Sequence, residues 1–130
     1  MNRMLSSTLL TIAIVVLTAC STGSNGSSGP AVDPSVHPDA LRIAADDLAF
    51  STGALSAPAD EPFQIAFDNL ESAPHNVAIY RDDSATEKVF GSDPFSGPAL
   101  VTYDVPAMAP GSYFFRCDVH PDMVGELTVG

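Results

Sequence analysis

Ser112-Tyr113-Phe114-Phe115-Arg116-Cys117-Asp118-Val119-His120-Pro121-Asp122-Met123 is the stretch on which the reading of this 130-residue chain turns. Its first half alternates. In an extended strand Tyr113, Phe115 and Cys117 share one face, and Ser112, Phe114 and Arg116 the other. If the two rings enter a core, the thiol points inward beside them. The second half spaces Cys, His and Met at i, i+3 and i+6, with a proline after the histidine. Pro110-Gly111, just upstream, is a turn signal.

The same strand pattern extends outward. Leu127-Thr128-Val129 closes the chain, and Ala99-Leu100-Val101-Thr102-Tyr103 is a further β-like run. Phe63-Gln64-Ile65-Ala66-Phe67 alternates, with Phe63, Ile65 and Phe67 on one face. His75-Asn76-Val77-Ala78-Ile79-Tyr80 reads as one strand with His75, Val77 and Ile79 facing the core. Arg42 to Phe50 reads as a first strand, and Asp82 to Val89 has room for one helical turn. No segment of useful length has a 3.6-residue period. Short strands broken by Pro, Gly, Asp and Asn predict an all-β sandwich or barrel.

His75 opens its strand and Cys117 closes its own, so in an antiparallel arrangement both lie at one pole. The loop carrying His120 and Met123 leaves from that pole. Singly, each residue has an ordinary reading: Cys117 as a buried bystander, His75 as a polar strand end, Met123 as core. Jointly they offer a thiolate, two imidazoles and a thioether, a soft-to-borderline set suited to copper in both oxidation states. Structural zinc sites use Cys, His and carboxylates, and a thioether suits them poorly.

From Leu41 to Gly130 the chain resembles a cupredoxin domain, nearest in its metal loop to the amicyanin and plastocyanin branch. The resemblance is carried by Ala73-Pro74-His75-Asn76-Val77, by Pro110 to Cys117, and by His120-Pro121-Asp122-Met123-Val124-Gly125. It implies a single Greek-key β-sandwich holding one mononuclear type 1 copper, with His75, Cys117 and His120 as equatorial ligands and Met123 as axial ligand. It also implies an Asn76 backbone N–H directed at the cysteine sulfur, and electron exchange through the His120 edge in an apolar patch to which Pro121 contributes. The amicyanin pattern has proline before the second histidine. Here Val119 keeps an N–H as an extra donor toward sulfur, and with Asp118 and Asp122 this leaves the redox potential open.

The N-terminus reads as an address. Met1 to Ala19 runs from one charge, Arg3, through an apolar stretch too short for a comfortable bilayer span to Leu17-Thr18-Ala19-Cys20. This resembles a bacterial lipoprotein signal peptide, which implies cleavage before Cys20 and lipid on that residue. An uncleaved anchor or an ordinary secretory signal is the alternative, and each places the rest outside the cytoplasm. Residues 20–40, opening Cys20-Ser21-Thr22-Gly23-Ser24-Asn25-Gly26, read as a flexible Gly/Ser/Pro-rich linker in which His37 is a solvated side chain. The domain is expected over 41–130.

Sixteen Asp and Glu stand against five Lys and Arg, a net charge of −11. Loss of Arg3 leaves four basic and sixteen acidic side chains, a net −12. Such a polyanion repels phosphate backbones, which argues against nucleic-acid binding. One available cysteine excludes a binuclear copper centre. The residues that would mark a serine triad, a phosphate loop or a paired-carboxylate site also lack their context, so an enzyme is not expected. Two function classes remain: a membrane-anchored one-electron carrier, or a copper-binding protein for delivery, storage or tolerance. The chain has no His/Met-rich tract, which favours the first. A monomer is expected, and a redox partner such as a cytochrome or dehydrogenase.

Overall fold

A computed structural model describes residues 36–130, and the expected signal peptide and Cys20 lie outside the described residues. Two sheets pack face to face as a Greek-key β-sandwich, with no helix among the described residues. The first sheet contains β1 (Leu41–Asp46), β2 (Ala49–Phe50), β4 (Phe63–Asn69) and β9 (Ala99–Val105) in the order β2-β1-β4-β9. The second contains β3 (Ala54–Ala57), β6 (Ala78–Tyr80), β7 (Lys88–Gly91), β10 (Gly111–Arg116) and β11 (Val124–Val129) in the order β3-β11-β10-β6-β7. A short ribbon pairs β5 (Pro74–His75) with β8 (Phe95–Ser96).

The inward faces are those the alternation points to. Ile65 and Phe67 of β4 meet Tyr113 and Phe115 of β10 and Leu127 of β11 in one core cluster, all of them buried. Phe115 also packs against Phe50, ring centroids 5.5 Å apart. Burying each large side chain contributes on the order of 1.5–3 kcal/mol, so these few rings dominate the driving force for closure. Close packing explains Gly125 as well: a Cβ there would lie 2.2 Å from Phe115 Cζ and 2.8 Å from the Gly53 carbonyl oxygen.

Four expectations change. Arg42 to Phe50 is not one strand: the chain reverses at Asp47 and Leu48, whose φ angles of 51° and 56° form a two-residue hairpin between β1 and β2. That turn favours Asn, Asp or Gly first and Gly second, so Asp47 fits it and Leu48 hides it. Asp82 to Val89 forms no helical turn: Ala85 N–H bonds the Asp82 carbonyl, and Asp82 Oδ1 accepts the Ser84 N–H, closing a turn that leads into β7. His75 is not continuous with Val77 and Ile79. It belongs to the separate β5–β8 ribbon, and every residue from His75 to Tyr80 is buried, so alternation does not decide which way it faces. The structured part also begins before Leu41. Val36 and Ala40 are buried against Ala66 and Leu100, on a tight turn in which the Ala40 N–H bonds the His37 carbonyl. Two apolar side chains in a polar stretch find the outer face of the first sheet. His37 itself is exposed, as expected.

Candidate metal centre

Register brings the expected donors to one pole. Strands β6 and β10 run antiparallel, Ile79 opposite Phe115 and Ala78 opposite Arg116, so the start of β6 and the end of β10 coincide. The chain then turns through residues 117–123 and returns as β11. Two backbone bonds fasten this loop: Cys117 N–H to the Met123 carbonyl at 3.0 Å, and Met123 N–H to the His120 carbonyl at 2.9 Å. The ends of the seven-residue loop are thereby tied to each other.

His75 is held by a different device. Asn69, wholly buried at the end of β4, donates from Nδ2 to the Ala73 carbonyl at 2.9 Å and the Phe95 carbonyl at 2.8 Å. Its Oδ1 accepts the Glu71 N–H at 3.1 Å. Asn69 thus fixes the turn that leads into β5. Gly97 completes the arrangement, because a Cβ there would lie 2.1 Å from the Asn69 carbonyl oxygen.

The resulting geometry is compact. Cys117 Sγ lies 3.8 Å from His75 Nδ1 and 3.8 Å from His120 Nδ1, and the two Nδ1 atoms are 3.1 Å apart. Cys117 and His75 are fully buried, while His120 is half-buried at the rim. A point equidistant from these three atoms lies about 2.1 Å from each, close to the ~2.0–2.1 Å and ~2.3 Å of zinc–imidazole and zinc–thiolate bonds. His75 Nε2 is 2.7 Å from the Glu71 carboxylate. With Nε2–H donating there, Nδ1 keeps its lone pair and turns it toward the sulfur. Met123 is buried in the same cluster as Cys117. A thiolate and two imidazoles with a thioether in the same cluster suit one type 1 copper.

Around the donors, the Val119 side chain is exposed. Asn76 acts through its side chain, Oδ1 accepting the Asp118 N–H at 2.7 Å and Nδ2 donating to the Asp118 carboxylate at 3.1 Å and the Ser92 carbonyl at 2.8 Å. Asp118 also accepts the Tyr80 hydroxyl and lies 2.6 Å from Lys88 Nζ. Burial pushes the Asp118 carboxyl up, but Lys88, Tyr80 and Asn76 outweigh it and hold the group below its ordinary range. The sequence reading missed Asn69, Glu71, Tyr80 and Lys88; only Asn69, a turn-former at a strand end, carries a local signal.

A model of the cupredoxin-like domain matches residues 9–129. Among solved structures, the dithionite-reduced auracyanin of Roseiflexus castenholzii aligns with a TM-score of 0.63 at 22% identity, covering 70% of this chain and 96% of that one. Auracyanin A of Chloroflexus aurantiacus, described as a "blue" copper protein, aligns at 0.60 and 21%, covering 70% and 98%. Amicyanin from Paracoccus versutus aligns at 0.57 and 24%, covering 74% and 86%. At such identities the likeness is one of fold. No curated protein sequence matches the chain.

Proposed function

Because this chain belongs to the cupredoxin-like family, we propose that it is a type 1 copper protein that carries one electron at a time, anchored through lipid on Cys20 at the extracytoplasmic face of a membrane. His75, Cys117, His120 and Met123 are the residues that would hold the copper. The observation that carries this reading is the convergence of Cys117 Sγ with the Nδ1 atoms of His75 and His120 at 3.8, 3.8 and 3.1 Å.

Copper bound there supplies the Cu(I)/Cu(II) couple. The chain's part is to keep the donors in place when the charge changes. The loop bonds at Cys117 and Met123, the Asn69 clamp and the Glu71 contact to His75 fix three donors from the backbone outward. The half-buried His120 lies at the protein surface, next to exposed Val119. This is the shortest way out for an electron, and the fully buried Cys117 and His75 offer none. The redox partner fits a cytochrome or dehydrogenase with a basic docking face, given the net charge of −12 once Arg3 is removed. The chain acts as a monomer.

The test is reconstitution of the domain with Cu(II). An intense thiolate-to-copper visible band that disappears in Cys117→Ser is expected. A colourless copper complex, or a band that survives the substitution, overturns the reading. A copper-delivery protein would show the band but slow electron self-exchange and transfer of the ion to an apo-acceptor.

A further inference from the structure

Asp118 follows the cysteine ligand directly and gathers an unusual number of partners. Its backbone N–H and one carboxylate oxygen bond the two ends of the Asn76 amide, and Asn76 directly follows the ligand His75. The two ligand-bearing segments, forty-two residues apart, are therefore joined reciprocally, independently of any ion. The same carboxylate accepts the Tyr80 hydroxyl and pairs with Lys88 Nζ at 2.6 Å. Arg116 Nε stands 3.7 Å away, with its guanidinium 5.0 Å from the Tyr80 ring centroid. The described residues contain four cationic side chains, Arg42, Arg81, Lys88 and Arg116, and two of them address this one carboxylate. In a chain so rich in acid that is a concentrated investment of scarce positive charge.

We propose that the Asp118 carboxylate sets the charge beside the copper ligands, with Lys88 as its counterweight. This rests on the copper reading above. Reduction adds an electron to the centre, so a fixed negative charge nearby disfavours it and a fixed positive charge favours it. Asp118 therefore draws the reduction potential down, and Lys88 draws it up. A purely structural role for the pair would move both variants in the same direction or neither.

The experiment is redox titration of the copper-loaded domain and its variants at low ionic strength, where the half-exposed Lys88 is least screened. Asp118→Asn keeps the shape and the backbone bond to Asn76 while removing the charge; Lys88→Met keeps the stem. Both should retain the visible band. The potential should rise in Asp118→Asn and fall in Lys88→Met, and the double variant should lie between. Unmoved potentials, or shifts of the same sign, overturn the proposal while leaving the copper centre standing. If Asp118→Asn fails to fold, Lys88→Met decides alone, and absence of a downward shift overturns the proposal. No visible band in the parent protein overturns the copper reading and this proposal with it.

Discussion

The Nε2 atom of His75 and the Oε1 atom of Glu71 lie 2.7 Å apart, and the same carboxylate oxygen accepts the Leu48 N–H at 2.9 Å. One acidic side chain thus orients the buried His75 imidazole and anchors the left-handed tip of the β1–β2 hairpin. A carboxylate on the far side of an imidazole raises its basicity and fixes its tautomer. In Glu71→Leu both bonds are lost, and copper affinity should fall by about 10–100-fold, measured by competition with a chelator. In Glu71→Gln an acceptor remains, so affinity should suffer less while the reduction potential rises.

Acid should loosen the copper-free domain through two named carboxylates. The Leu48 N–H, against the opposing effect of burial and together with His75, holds Glu71 below its ordinary 4.5. Asp118 is held below its ordinary 3.8. Both pKa values are depressed in the folded state, so the stability they contribute is fully present above the unfolded values and is lost as pH falls through the folded ones. Urea midpoints should therefore hold from neutral pH to about pH 5 and then decline. The decline should be shallower in Glu71→Gln. Lys88 is raised above its ordinary 10.5, chiefly by its bond to Asp118, so it stays charged throughout this window and the carboxylates alone titrate.

Gly125 is required by its neighbour rather than by its own backbone. The missing Cβ is the space that the edge of the Phe115 ring occupies. Gly125→Ala should destabilise the domain by about 1–3 kcal/mol in urea unfolding, as overpacking does. Combined with Phe115→Leu it should cost less than the two single losses added together, because the contact with the ring disappears while that with the Gly53 carbonyl remains.

Asn69 should matter to the site as much as to the fold. Truncation to Ala leaves the half-buried Ala73 and Phe95 carbonyls without their donor, at about 1 kcal/mol for each hydrogen bond lost. Because that turn carries Glu71 toward His75, Asn69→Ala should also broaden the visible band, whereas Gly125→Ala should leave it unchanged.

These cases mark how far the sequence could be read. The inward face of β10 and the convergence of Cys117, His120 and His75 followed from period-two alternation and from strand ends, which are local properties. The Asp47–Leu48 reversal did not, because Asp47 is a usual left-handed turn-former but Leu48 is not, and an apolar residue at the second position hides the turn. The face of His75 was reached by an alternation that the structure lacks, since residues 75–80 are all buried. The Asp118 network was out of reach, because Tyr80, Lys88 and Asn76 meet it only through pairing of strands thirty to forty-two residues apart.

The most direct measurement is a redox titration of the copper-loaded domain followed through its thiolate-to-copper visible band. The account requires one copper per chain, complete and reversible bleaching on reduction, and a one-electron slope of about 59 mV per decade. A band that fails to return on reoxidation, or copper that leaves the protein in either oxidation state, would contradict it.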